Sequence, residues 1–491
     1  MGRSDAGARP APSARDRAGP SGSRLHAGVR RLRFARATRS TLTDLHRPLS
    51  HRARVIVVGG GPAGLLAAGS AAEAGASVVL LERGPKMGRK LRMTGKGRCN
   101  ITNATDVEGF VRAFAPNGRF LYGPFARFFR DDTLALFERL GVHVKGERGG
   151  RIFPLSDSAL EVAAALERWV RDVGVDVRLN TRVKGILSAD GRLQGVSLYH
   201  GSMDGAAAII ATGGLSYPGT GSSGDGYAVA ESVGHSIVPT RPALAPLLAD
   251  DRWPGTLSGL ALRNVRASLA DRATGKAVAS EFGEMLFTHT GVSGPIILSL
   301  SRVYTRQSGP LDLRIDLKPA VSAEELTARF IREFVGAGTF GVYLRQLMPK
   351  SLAPIVADLS GVPADRPLSA IRASERSALV HTLKNLPITL RGLAPIEQAI
   401  VTSGGVKLEE IDPRTLMSRR VDGLYFAGEV LDLDAMTGGY NLQAAFSTGY
   451  VAGVSAAARA AALTDGPEQP FRSVRSTPDP APELNGVRSR G

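Results

Sequence analysis

Residues 55–64 read Val-Ile-Val-Val-Gly-Gly-Gly-Pro-Ala-Gly, and no other stretch constrains the fold as tightly. Four consecutive apolar residues read as a strand buried on both faces. Gly59, Gly61 and Gly64 follow with G-x-G-x-x-G spacing, and Pro62 suits the first turn of a helix. In such a turn the first glycine permits the tight bend and the second lets backbone approach a pyrophosphate. The third lets helix and strand pack closely. The small residues at 62–74 predict the helix, and Ser77–Leu81 predicts a second apolar strand running into Glu82. Strand, helix and strand in this order build parallel sheet. The helix N-terminus offers free N–H groups and a positive dipole end to phosphates. An acid about 20 residues beyond the glycines accepts hydrogen bonds from ribose hydroxyls and disfavours a 2′-phosphate. NAD and FAD both satisfy this end of the site.

Residues 55–81 carry a single charge, Glu73, but their six glycines punctuate two apolar runs, which argues against a membrane span. Further along, 131–140 and Ala159–Asp172 read as helices, and 175–179, 183–187 and 207–211 as strands. From 237 to 316 the segments are short, alternating and turn-punctuated, as at 264–270, 277–282 and Leu311–Asp316. A helical pattern runs from 322 to 384, opened by the capping sequence Ser322-Ala-Glu-Glu. Residues 424–427 then read as an apolar strand and 441–458 as a small-residue helix, so the end of the chain returns to the texture of its beginning.

The expected fold class is α/β: a Rossmann-type domain built from N- and C-terminal segments, with insertions between them. The expected boundaries are an Arg-rich disordered tail at 1–53 and the first part of the nucleotide-binding domain at 54–236. A β-rich substrate domain follows at 237–321, a helical insertion at 322–385, the return at 386–463 and a second disordered tail at 464–491. Residues 1–53 also have the composition of a targeting peptide or of an extension before the true start.

The C-terminal part narrows the ligand. Gly423-Leu-Tyr-Phe-Ala-Gly428-Glu429 is a strand followed by glycine and an acid, and Thr437-Gly-Gly-Tyr-Asn441 opens the last helix. A second helix N-terminus suits the pyrimidine end of a flavin, whose N1–C2=O region gains negative charge on reduction. Glu429 is placed to accept hydrogen bonds from a ribityl chain. FAD is therefore the expected cofactor.

Five stretches in combination resemble the BaiN-like flavoproteins, also called the aminoacetone oxidase family, of two-dinucleotide-binding-domain architecture. They are GRKLRMTGKGRCNITN at 88–103, ATGGLSYP at 211–218, FTHTGVSGP at 287–295, TSGGV at 402–406, and GEVLD at 428–432 with TGGYNLQ at 437–443. The resemblance covers roughly 54–460 and implies FAD contacts at Gly59, Gly61, Ala63, Gly64, Glu82, Lys90, Arg98, Val183, Thr212, Gly213, Gly428, Glu429 and Asn441. Pro62, Arg83, Gly439, Tyr440 and Leu442 complete the expected cofactor set. It also implies a β-stranded substrate domain and a small helical domain inserted before the C-terminal return.

Composition excludes other classes. One cysteine, Cys99, allows no disulfide framework and no dithiol centre within the chain; it reads as a small packing residue. Eight His without an H-E-x-x-H pair, and no cysteine cluster, leave metal out of the expectation. No G-x-S-x-G supports a nucleophile-elbow hydrolase. The net charge of +17 is concentrated at the start: residues 1–54 hold 13 Arg, no Lys and 3 Asp. No basic face interleaved with aromatics stands out in 54–460, so nucleic acid is not an expected partner. A second G-x-G-x-x-G at Gly219–Gly224 begins too far past its strand and lacks a following acid-terminated strand. NAD(P)H is accordingly expected, if used, as a transient donor without a Rossmann domain of its own.

These readings converge on a cytoplasmic FAD-dependent oxidoreductase moving a hydride between flavin N5 and a small organic substrate, as an NAD(P)H-linked reductase of an activated C=C. The alternatives are an oxidase of a small amine such as aminoacetone and, after it, a flavin-dependent tRNA-modifying protein. The catalytic acid stays open, with His289 and Tyr440 as candidates, and so does the oligomeric state.

Overall fold

Val55, Ile56 and Val57 are fully buried, and the strand that holds them, Arg54–Val58, is the middle of a five-stranded parallel sheet. The order is Leu424–Phe426, Ala207–Ile210, Arg54–Val58, Ser77–Leu81 and Asp176–Arg178. A strand from the far end of the chain thus lies beside one from its first half, as expected of a Rossmann-type α/β domain assembled from both. The computed structural model describes residues 54–464, and the expectations for residues 1–53 and for the C-terminal tail from 465 lie outside the described residues.

The helices Pro62–Glu73 and Tyr440–Thr464 pack on each other through small residues. A Cβ on Gly449 would stand 2.2 Å from the Ala63 carbonyl oxygen, and one on Gly453 would stand 2.4 Å from that of Ala67. The absence of side chains there brings the first and last helices into near backbone contact, running parallel, with Gly449, nine residues into the last helix, level with Ala63 at the start of the first; the late glycine turn therefore lies about two helical turns beyond the early one. The last helix runs to Thr464, six residues beyond the alanine-rich stretch that predicted it.

Residues 247–393 contain a closed barrel of six strands in the order Leu247–Ala249, Gly291–Ser293, Ala277–Thr288, Ala261–Asp271, Leu311–Asp316 and Leu386–Leu393. All of its pairings are antiparallel. It has a separate apolar core around Phe287, Leu313, Ile315 and Ile388. Two features differ from the sequence reading. The strand Leu386–Leu393, grouped there with the return, closes this barrel; alternation marks a strand but not the sheet it joins. The helix Pro295–Arg306 interrupts the β-rich stretch, with Ile296, Ile297 and Leu300 buried at helical spacing. The helices between 323 and 384 enter before the closing strand, and Ser322 forms the expected capping box with Glu325. A two-stranded antiparallel pair, Ile237–Ala243 with Val401–Val406, leads from the parallel sheet toward the barrel and back. Among the described residues no helix is long and apolar enough to cross a membrane.

Candidate functional site

Parallel strands end on one edge of their sheet, and ligands bind outside that edge. Here Val58 leads into Gly59, Leu81 into Glu82, Ile210 into Ala211 and Thr212, and Phe426 into Ala427 and Gly428. All of these residues except Phe426 line one groove of 680 Å³. The groove continues past the late glycine turn, Thr437 to Gly439, and is walled on its far side by Leu244, Leu286, Pro295, Leu298, Ile400 and Val401.

Of the sequence-predicted residues, Gly59, Gly61, Pro62, Ala63, Glu82, Arg83, Lys90, Arg98, Val183, Thr212, Gly213, Gly428, Glu429, Gly439, Asn441 and Leu442 line this groove. Three expected residues do not. Gly64 lies behind the turn, where a Cβ would come 1.8 Å from the Gly59 carbonyl oxygen; its task is close packing. Tyr440 turns away and packs edge-on to Phe110 at 4.9 Å, where burial pushes its hydroxyl pKa up against the opposing charge of Arg151. His289 is exposed at a barrel turn. Neither candidate acid therefore faces the groove. Cys99 is buried, and burial pushes its thiol up to about 12 against a hydrogen bond with Thr94.

The chemistry of the lining fits a dinucleotide. Gly61 has extended backbone, and nothing lies within 4 Å of where its Cβ would be, so the space in front of the helix N-terminus is a cradle that a side chain would fill. Thr212 Oγ1 and Asn100 Oδ1 are buried in the lining without a hydrogen-bond partner, a state that costs free energy unless a ligand satisfies them. Glu82 accepts the Gly60 N–H at 2.7 Å and the Gly84 N–H at 2.7 Å, which fixes its carboxylate at the groove edge. The second glycine run, whose role the sequence left aside, contributes Thr220, Gly221 and Ser222 to the same lining.

Glu429 departs from its expected role. Its carboxylate receives Lys90 Nζ at 2.6 Å, Ser216 Oγ at 2.8 Å and the Thr402 N–H at 2.9 Å, so donors of this chain already occupy it. Burial pushes the carboxyl up, but the Lys90 ammonium and these hydrogen bonds outweigh it and hold the pKa below the ordinary carboxylate value. The pair is a clasp between the loop after Glu82 and the C-terminal strand end. A depressed carboxylate pKa stabilises the fold above its unfolded value, and that contribution is lost as pH falls through the folded value. Lys90→Met removes the cation and leaves only the Ser216 and Thr402 hydrogen bonds against burial, so the Glu429 pKa rises and the stabilisation present above its unfolded value shrinks. Urea unfolding is expected to show a deficit of roughly 2 kcal/mol near neutral pH, shrinking toward about pH 5. A deficit independent of pH would remove Glu429 from the account.

The barrel-side wall and the groove residues Arg151 and Phe153 were missed from the sequence, and Asn100 lay in the 88–103 stretch without being singled out. The missed residues come from short strands and loops whose local pattern carries no sign of a ligand.

Comparison with known proteins agrees with this geometry. The family described as "HI0933-like protein Rossmann domain" matches residues 53–455. The 3-dehydro-bile acid delta(4,6)-reductase of Clostridium scindens is 34% identical over 420 residues, covering 83% of this chain and 99% of that protein. The ribosomal RNA dihydrouridine synthase of Escherichia coli is 33% identical over 409 residues, covering 80% and 96%. The protein of the same name from Haemophilus influenzae is 30% identical over 412 residues, covering 83% and 99%. With a match across nearly the whole described chain and a groove built for a dinucleotide, the chain belongs to the HI0933-like Rossmann-domain family of FAD-dependent oxidoreductases.

Proposed function

We propose that this protein reduces a carbon–carbon double bond conjugated to a carbonyl in a small organic molecule, with NADH or NADPH as the transient electron donor. Bound FAD supplies the hydride chemistry. The turn Gly59 to Gly61 and the helix N-terminus behind it receive the diphosphate, and Glu82 receives ribose hydroxyls. Val183 lies toward the adenine, with Thr212 and Gly213 along the middle of the cofactor. Gly428, Gly439, Asn441 and Leu442 border the ring end, where Asn441 holds the turn in place through the Ala435 N–H at 2.9 Å. Lys90 and Glu429 keep the two halves of the groove together, and the barrel serves as the substrate domain.

The observation that carries this reading is the apolar wall of Leu244, Leu286, Pro295, Leu298, Ile400 and Val401 facing the late glycine turn. Such a wall excludes water and accepts a hydrocarbon framework beside the ring. The bile acid reductase among the relatives reads the same way by name. A second reading, an RNA uridine as substrate, draws on the two relatives named ribosomal RNA dihydrouridine synthase.

The test is anaerobic mixing with NADH or NADPH while the flavin absorbance is followed. A steroid dienone, unmodified ribosomal RNA or air is then added to separate samples. The expected result is fast bleaching by one nucleotide, fast return of colour with the dienone and slow return in air. Return of colour with RNA alone would favour the second reading. Fast return in air alone would make the protein an oxidase.

A further inference from the structure

We infer that the ring end of the groove carries a subsite for an anionic group, of carboxylate type, on the substrate, formed by Lys96 and Arg151. The inference rests on the reading of this groove as the site of a small-molecule reductase and names the chemical class of what enters it.

Both residues line the groove, and neither has a hydrogen-bond or ion-pair partner for its side chain among the described residues. Their position is at the ring end, away from the early glycine turn. Arg151 pairs across a short sheet with Asn103, whose side-chain amide donates to the Gly438 carbonyl at 2.9 Å. Arg151 and Phe153 are two apart on one strand and so face the same way. Phe153 in turn lies 3.4 Å from where a Cβ on Gly95 would stand, next to Lys96. The two cations therefore belong to one lip of the groove.

Their neighbour Arg98 shows what a neutralised cation looks like at this lip. Its guanidinium lies 4.1 Å from the centre of the Phe153 ring and is held by Glu147 and by Asp157 at 2.6 Å. Among the described residues no such acid serves Lys96 or Arg151. The acid across the groove, Glu284 on the barrel strand, is not within ion-pair distance of either.

Backbone strain supports a functional reason for the placement of Lys96. It sits at φ 58° and ψ 40°, a left-handed conformation that a residue with a side chain adopts at a cost of roughly 1 kcal/mol. Gly95 and Gly97 on either side are also at positive φ, so the loop is bent throughout to carry Lys96 over the groove. Strain of this kind collects at ligand sites. At the other end of the groove, cations have a diphosphate to meet. The flavin ring itself offers no negative charge at this end until it is reduced. Two free cations beside an apolar wall therefore fit an amphipathic molecule: a hydrocarbon body toward Leu286 and Leu298, and an anion toward Lys96 and Arg151.

The experiment titrates FAD-loaded protein with benzoate and, separately, with benzamide, and follows the flavin absorbance. The two probes share size and flatness and differ in charge. Wild type is expected to bind benzoate about tenfold more tightly than benzamide, one charge-assisted contact's worth, and to lose that preference as salt is raised. Lys96→Gln and Arg151→Gln should each reduce the preference and the double variant abolish it, with benzamide affinity unchanged. Arg151→Lys should restore part of it. The readout is binding, so it stands whether or not a dienone is turned over. Equal affinities in wild type, no spectral response to either probe, or a preference that survives the double variant would overturn the inference. So would loss of FAD from both single variants, which would assign these cations to the cofactor.

Discussion

Gly61→Val is expected to give a soluble, stable and colourless protein. Gly61 caps the first helix with φ −78° and ψ −177°, extended backbone that valine adopts readily. Apart from its chain neighbours, no atom of the described residues lies within 4 Å of its missing Cβ, so the packing has nothing to lose. The branched side chain instead occupies the space in front of the helix N-terminus, where the N–H groups meet phosphate. FAD affinity should fall at least a hundredfold, about 2.7 kcal/mol. The unfolding midpoint without added FAD should stay within a few degrees of wild type, as for a surface substitution of small energetic effect. Gly64→Val provides the contrast. A Cβ there would stand 1.8 Å from the Gly59 carbonyl oxygen, so that variant should lose stability as well as colour. Absorbance spectra and thermal unfolding of the two purified variants separate a ligand clash from a packing clash. Full FAD content in Gly61→Val would show that the diphosphate lies elsewhere.

The contrast also explains what could be read from the chain alone. The early turn was legible because its chemistry is local: strand, glycine spacing, helix and acid lie within about 30 residues, the size of one such unit. Four strand ends gather at one edge as parallel topology requires, so the sheet's composition could be read from apolar runs such as 55–58, Ser77–Leu81 and 207–211. The late turn followed because a second glycine run opens a second helix. What was not legible was set by packing partners far away in sequence. Glu429 looks like a ribityl acceptor until Lys90, Ser216 and Thr402, which lie 339, 213 and 27 residues away, are seen to occupy it. Tyr440 sits in the right motif, but its ring direction depends on Phe110. His289 belongs to a stretch with family character, yet the barrel strand carries it to an exposed turn. The strand Leu386–Leu393 has the right alternation, and only closure of the barrel decides which sheet takes it.

Asp434→Ala should be the most destabilising single change near the groove, although Asp434 does not line it. Its side chain is 1% exposed and stands between two arginines of the helix Pro295–Arg306. Arg302 Nε meets one carboxylate oxygen at 2.6 Å and Arg306 Nη2 the other at 2.6 Å. Arg302 also donates to the Asp434 carbonyl at 2.6 Å and the Ala113 carbonyl at 3.0 Å. Burial pushes the Arg302 guanidinium pKa down, while the Asp434 charge and hydrogen bond act to keep it charged. Removing the carboxylate leaves a buried cation uncompensated, a loss of about 3–5 kcal/mol. The same helix begins at Pro295 and Leu298 in the apolar wall, and the loop holding Asp434 also supplies Leu433, Met436 and Thr437 to the groove. The clamp therefore fixes the distance between the wall and the ring-end turn. Asp434→Asn keeps the shape and part of the hydrogen bonding, and should cost less. Denaturant unfolding of the apoprotein measures the first effect. Bound-flavin fluorescence measures the second, and should rise in both variants as the wall loosens and water reaches the ring. A stability loss with unchanged flavin emission would confine Asp434 to holding the fold and separate it from the groove.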